Sequence, residues 1–208
     1  MGVRRQRLLP WQEGDLYERR TLGGTSRHRG LFIGHGTQKL FGWFGGPGRA
    51  GTEGMMEALD MRPAKVHAAV AGITETTGGA LLAVGFATPL AAAGLTGVMT
   101  TAINKVHLPN GPWNANGGWE YNAVLIAAVI ALAETGPGSL SLDHALGTER
   151  SGPLVALAAL GLGLGVGTAA LTMAAGRRGS AAAAPVGTSA AAEQGDGAGD
   201  LTAEGAGR

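Results

Sequence analysis

The chain contains no cysteine. That excludes a disulfide framework, thiol redox chemistry and cysteine-ligated zinc or iron–sulfur centres. Charge is scarce as well: Asp, Glu, Lys and Arg make up 15% of the 208 residues, and the formal net charge is +1. A nucleic-acid footprint is therefore missing, and no nucleic-acid partner is expected. There is no dinucleotide fingerprint and no constellation of nucleophile and base, so a self-contained enzyme is not expected. The Arg-rich start is not followed promptly by an apolar stretch, which argues against a signal peptide.

Two apolar runs organise what is present. VHAAVAGITETTGGALLAVGF begins at Val66 and carries one acid, Glu75; ATPLAAAGLTGVMTTAI begins at Ala87 and carries no charge. The first is long enough as a helix to span roughly 30 Å, the thickness of a bilayer's hydrocarbon core. Thr88 is placed to cap the second, with Pro89 in its first turn, where no backbone hydrogen bond is lost. The two predict a transmembrane hairpin. A third span is expected over WEYNAVLIAAVIALAET and a fourth over residues 153–175, which hold no charge. The mean hydropathy of +0.13 and the 38 glycines agree with close helix packing in lipid.

The fold expected is all-α: a transmembrane helical bundle of four spans plus an N-terminal half-helix or interfacial helix. Residues 1–29 form a basic cytoplasmic segment, and 30–65 hold the half-helix and an amphipathic connection. Residues 66–175 form the bundle, and 176–208 are an Ala/Gly-rich tail too poor in apolar side chains to order itself. Phe41, Trp43 and Phe44 beside Lys39 read as an interfacial aromatic belt, so 30–45 is expected to lie in the interface without crossing. Four spans with a cytoplasmic start put every Lys and Arg except Arg150 on the cytoplasmic side, as the positive-inside rule prefers.

Glu75 is the sharpest functional signal. It lies roughly 14 Å into its span, where a charged side chain costs about 2.5–3.5 kcal/mol even on lenient insertion scales. Helical spacing groups it with Ala68, Gly72, Gly79 and Ala83, and puts Val66, Val70, Ile73, Leu81 and Val84 on another face. It is expected to be protonated and bonded to a neighbouring hydroxyl such as Thr100 or Thr101, either as packing glue or as a proton or ligand site. His35, Gln38 and Lys39 from the first piece, Asn104, Lys105 and His107 from the end of the second span, and Trp119, Glu120 and Asn122 from the start of the third are expected around one cytoplasm-facing vestibule; their plainer reading is ordinary interface chemistry. The ligand and proton candidates are thus Glu75, His35, Gln38, Lys39, Thr101, Asn104, His107, Glu120 and Asn122. His35 and His107 lack a supporting carboxylate spacing, so no metal is expected. The alternating Gly161, Gly163, Gly165 and Gly167 have no phosphate-loop context and are read as helix packing.

HGTQKLFGWFGGPG, AGITETTGGALLAVG, KVH, GGWEYN and GPGSLSLD, in that order between about Leu31 and Gly147, resemble the DoxX family of small bacterial membrane proteins. In that family a complete apolar helix includes the first piece, whereas here its first half reads TLGGTSRHRG. The resemblance implies a multi-pass helical bundle in the inner membrane. It also implies kinship with the small subunits of thiosulfate:quinone oxidoreductase and with membrane complexes that handle sulfur and oxidative stress. The function expected is therefore a subunit of a membrane redox complex that anchors partner proteins in lipid and holds a quinone, since His, Asn, Gln and a protonated Glu suit quinone carbonyls. The alternatives are a small transporter or channel using Glu75 as its proton-coupled site, and a structural anchor without a ligand.

Overall fold

The computed structural model describes residues 30–182, with the side chains of 176–182 left undescribed. The expectations for the basic segment 1–29 and for most of the tail fall outside the described residues. Among the described residues the structure is helical throughout, in line with the all-α expectation. Helix α1 covers residues 30–41. It is followed by α2 (Gly48–Ala58), α3 (Ala64–Val84), α4 (Thr88–Ala102), α5 (Glu120–Thr135), the short α6 (Leu142–Leu146) and α7 (Pro153–Ala182). A π-helical segment, Ile103–His107, prolongs α4.

Helix α4 is the central element. It packs on α3, α5 and, most extensively, α7. Ala91, Ala92, Ala93, Leu95, Thr96, Gly97 and Met99 are all buried. A helix with small or apolar residues all round belongs inside a bundle, and this one carries no charge over its α-helical length. Its partners supply Phe32 from α1, Leu82 from α3, Leu125, Val129 and Ala133 from α5, and Ala156 and Ala159 from α7 to a single core. The outer faces stay apolar: Val66, Val70, Ile73 and Val84 of α3 are exposed as the spacing predicted, whereas Leu81 packs against the core. Ala83, expected on the inner face, is exposed, and Leu82 takes that place.

Glycine sets the closest helix contacts. A Cβ on Gly163 would land on Thr96 and the Ala93 carbonyl, and one on Gly167 would meet the Gly97 carbonyl 2.8 Å away. Gly161 and Gly165 have nothing within 4 Å of that position. Only one of the two alternating glycine pairs therefore packs α7 onto α4, which corrects the expectation that all four do.

Two local details also differ from expectation. Thr88 does not cap α4: the preceding Ala87 is the N-cap and offers no side-chain bond. The carboxylate of Asp143, reaching from α6, accepts the Thr88 N–H at 3.3 Å instead. Helix α1 does not lie across the end of the bundle. Phe32 and Ile33 stand beside Gly79, and Leu40 and Lys39 beside Gly72, so α1 runs antiparallel along α3. Its exposed aromatic end remains: Phe41 and Trp43 are 5.3 Å apart, with Phe44 edge-on to Trp43.

Among the described residues one stretch, Pro153–Ala175 of α7, is long and apolar enough to cross a membrane by itself, with a mean hydropathy of 2.1. The expected second and third spans are shorter, at 15 residues for α4 and 16 for α5. Helix α3 has 21 residues, with Lys65, His67 and Glu75 among them.

Candidate functional site

The site begins with a glycine. A Cβ on Gly36 would collide with the hydroxyl and backbone nitrogen of Thr76 and with the Gly72 carbonyl, so only glycine lets α1 approach α3 this closely. Gly72 and Gly79 repeat the arrangement on the α3 side, one turn to either side of Glu75. Lys39, one turn beyond His35 on the same face of α1, is thereby delivered to Glu75. Its Nζ lies 2.6 Å from Glu75 Oε2. The Glu75 side chain is 3% exposed and that of Lys39 21%.

This pairing replaces the protonated, hydroxyl-bonded Glu75 expected from the sequence. The hydroxyls proposed for it are engaged elsewhere: Thr100 donates to the Thr96 carbonyl at 2.8 Å and Thr101 to the Gly97 carbonyl at 3.0 Å. Such i−4 bonds within a helix satisfy a threonine without an external partner.

Beside the ion pair lies a cavity of about 350 Å³. Lys39 and Glu75 form one wall, with His35. Val98, Met99, Thr101 and Ala102 of α4 form another, continuing into Lys105 and His107 of the π-helical segment. Tyr121, Asn122 and Leu125 of α5 face them, and Met55, Met56, Leu59 and Met61 come from α2 and the turn after it. The lining is mainly apolar, with a few separated polar groups, as in most small-molecule sites. The thioethers of Met55, Met56, Met61 and Met99 give it a polarisable surface that adapts to an irregular guest.

The polar groups are individually fixed. His107 Nδ1 lies 2.7 Å from the Gly117 carbonyl. A carbonyl only accepts, so this nitrogen carries the hydrogen, and in the neutral ring Nε2 is left as an acceptor. Asn122 Nδ2 donates to Met99 Sδ at 3.4 Å, and Lys105 Nζ donates to the Leu59 carbonyl at 3.2 Å. Lys105 sits in the last turn of the α4 extension, where a cation complements the helix dipole.

Six of the nine candidates thus share one cavity: His35, Lys39, Glu75, Thr101, His107 and Asn122. Gln38, Asn104 and Glu120 do not line it. Gln38 lies under Gly46 in the turn after α1. Asn104 is exposed. Glu120 accepts the Asn114 N–H at 2.7 Å and closes the 108–119 loop. Sequence reasoning missed the methionines and Tyr121; the only signal was the Met55–Met56 pair in a segment already read as amphipathic. Among the described residues no cluster of His, Asp or Glu could hold a metal ion.

Among the described residues the structure is a helical bundle with an apolar perimeter, a buried cross-helix ion pair, an apolar cavity and one helix long and apolar enough to cross a membrane. More particularly, residues 29–108 match the model of the DoxX family. The match takes in α1 to the end of the α4 extension and therefore the ion pair. The GGWEYN and GPGSLSLD pieces lie beyond it. No curated protein and no solved structure matches the chain.

Proposed function

We propose that the protein is a multi-pass subunit of a membrane redox complex and that its cavity holds the ring of a quinone-type molecule. The observation that carries this reading is the cavity itself, with its apolar walls, four thioethers, a charged pair at one side and His107 and Asn122 at the other. A ring with an apolar tail and two polar oxygens fits such a lining, because apolar burial supplies affinity and the few polar groups fix orientation.

The membrane setting is supported by the apolar outer faces of α3 and α7 and by the family. In the arrangement we propose, α3, α4, α5 and α7 cross the bilayer of a bacterial inner membrane. Arg49, Arg62, Lys65 and Lys105 then lie at the cytoplasmic end of the bundle and Arg150 at the other. Helix α1 runs antiparallel to α3, so its start points toward the Arg150 end. The alternative, a proton-coupled transporter using Glu75, would require the carboxylate to leave Lys39 during each cycle.

Equilibrium dialysis of purified protein in nanodiscs, with a radiolabelled short-tailed benzoquinone or benzoquinol, tests the reading. Saturable binding at about one molecule per chain is expected, weakened when Ala102→Trp fills the cavity. Partition into the nanodisc alone, unchanged by Ala102→Trp, would overturn it.

A further inference from the structure

We infer that Lys105 is the charge anchor of the cavity, so that the site holds a ring carrying an anionic oxygen in preference to the neutral ring. This rests on the reading of the cavity as a quinone-type site and goes beyond it by naming the selecting residue and the charge state it selects.

Charges on the cavity wall are few. Glu75 is the one carboxylate of the lining, and Lys39 meets it at 2.6 Å, so the two cancel. Lys105 is the lysine left over, and His35 and His107 can only add positive charge. The acids flanking its partner Leu59 do not neutralise it: Asp60 pairs with Arg62 at 3.4 Å, and Glu57 is exposed. Glu120 turns its carboxylate to the Asn114 N–H. Among the described residues Lys105 makes no ion pair.

A cross-helix bond holds Lys105 in place. Its Nζ donates at 3.2 Å to the carbonyl of Leu59, 46 positions away at the C-terminal end of α2. A lysine that merely snorkels extends its ammonium to water. This one is half-buried between the α4 extension and α2, and both bonded residues line the cavity. An ammonium has three hydrogens, and the Leu59 carbonyl takes one. The carbonyl ends of the two helices favour a cation there, but they offer partial charges and leave two hydrogens uncommitted.

A neutral ring carbonyl offers this ammonium a dipole, whereas an anionic oxygen offers a full charge. The Coulomb gain grows as the surroundings become less polar, and Met56, Met61 and Val98 make these walls apolar. An anion also loses its own water on entry, so without Lys105 the charged ring should be the poorer ligand. Two chemistries supply such an oxygen. A ring hydroxyl gives up its proton to solvent, or one quinone and one quinol exchange an electron and release two protons, yielding two semiquinone anions.

The test uses the intact protein in phosphatidylcholine nanodiscs. Equilibrium dialysis compares 2-hydroxy-1,4-naphthoquinone, an acid ionised in neutral buffer, with its uncharged 2-methoxy analogue, and 4-octylbenzoate with its methyl ester. The charged member of each pair should bind about tenfold tighter. Lys105→Met, with its fold checked by thermal melting, should abolish or reverse the preference, and Lys105→Arg should keep it; Lys105→Gln replaces the Met variant if that one does not melt as a folded protein. An equimolar benzoquinone and benzoquinol mixture, without oxygen, is then followed by electron paramagnetic resonance. A radical signal above that of empty nanodiscs and dependent on Lys105 assigns the semiquinone as the anion, and its absence overturns that source in favour of the ionised hydroxyl. Equal or tighter binding of the uncharged members, or a preference that survives without Lys105, would overturn the inference while leaving the quinone-type site standing. Lys105-dependent binding of the benzoate, with neither naphthoquinone retained, would uphold the anchor and overturn the quinone reading. Saturable binding of none of the four would overturn both.

Discussion

Lys39 of α1 and Glu75 of α3 meet at 2.6 Å, and the carboxylate is almost entirely enclosed. Removing one partner strands the other, and a stranded buried charge costs about 3–5 kcal/mol. Lys39→Met, which leaves the enclosed carboxylate alone, should be the more damaging single change. Glu75→Gln leaves a lysine that already touches solvent and should be milder. The double variant Lys39→Met with Glu75→Gln should recover most of the loss. Melting in detergent checks the order; a Glu75→Gln protein less stable than Lys39→Met would contradict it.

The approach of α1 to α3 depends on Gly36. Gly36→Ala forces a methyl onto Thr76 and the α3 backbone, and overpacking of this kind costs about 1–3 kcal/mol. It should also loosen the Lys39–Glu75 pair. Gly34→Ala, where nothing lies within 4 Å, is the control. Comparable melting temperatures for the two proteins would contradict the packing described.

The two glycine pairs of α7 should behave oppositely. Gly163→Ala and Gly167→Ala push α7 off α4 and destabilise the bundle. Gly161→Ala and Gly165→Ala meet open space and gain up to about 1 kcal/mol each in helix propensity. Unfolding of the four single variants in mixed micelles separates the cases, and a uniform response would contradict the assignment.

Asp143 should matter for stability, not chemistry. Its carboxylate accepts the first N–H of α4 and the Thr148 hydroxyl, at 3.3 and 3.0 Å. Asp143→Ala should cost about 1–2 kcal/mol, the range for a lost helix cap, and leave ligand affinity unchanged. A fall in affinity with stability preserved would show a role at the distant cavity.

Much of this architecture was legible before any coordinates. Apolar runs bounded by Pro, Gly and Asn marked α3, α4, α5 and α7, because helix length and chain punctuation are local properties. The burial of Glu75 was legible from its helical spacing beside Gly72 and Gly79. Its partner was not, because Lys39 lies 36 positions away and reaches Glu75 only through the Gly36 contact, a property of two helices together. The same holds for Asp143, which caps a helix 55 residues earlier in the chain. The methionine wall was missed because thioethers carry no charge pattern, and their convergence depends on how α2 folds back on α3. Gln38 and Glu120 do not line the cavity: Gln38 packs beneath Gly46 in the turn after α1, and the Glu120 carboxylate is taken up by the Asn114 N–H.

The proposed topology has its own check, made simple by the absence of native cysteine. Gly54→Cys and Leu140→Cys place single thiols at exposed positions at opposite ends of the bundle. In intact cells an impermeant maleimide should label position 140 and spare position 54. The reverse would invert the orientation, and labelling of both would contradict the spans.

The most direct measurement is photolabelling by a short-tailed azidoquinone in native membranes, with adducts mapped by mass spectrometry. Adducts should concentrate on 55–61 and 98–107, compete with unlabelled quinol, and fall in Ala102→Trp. Labelling spread over the outward face of α7, without competition, would mean that the quinone samples the protein only from the lipid and that the cavity is not its site.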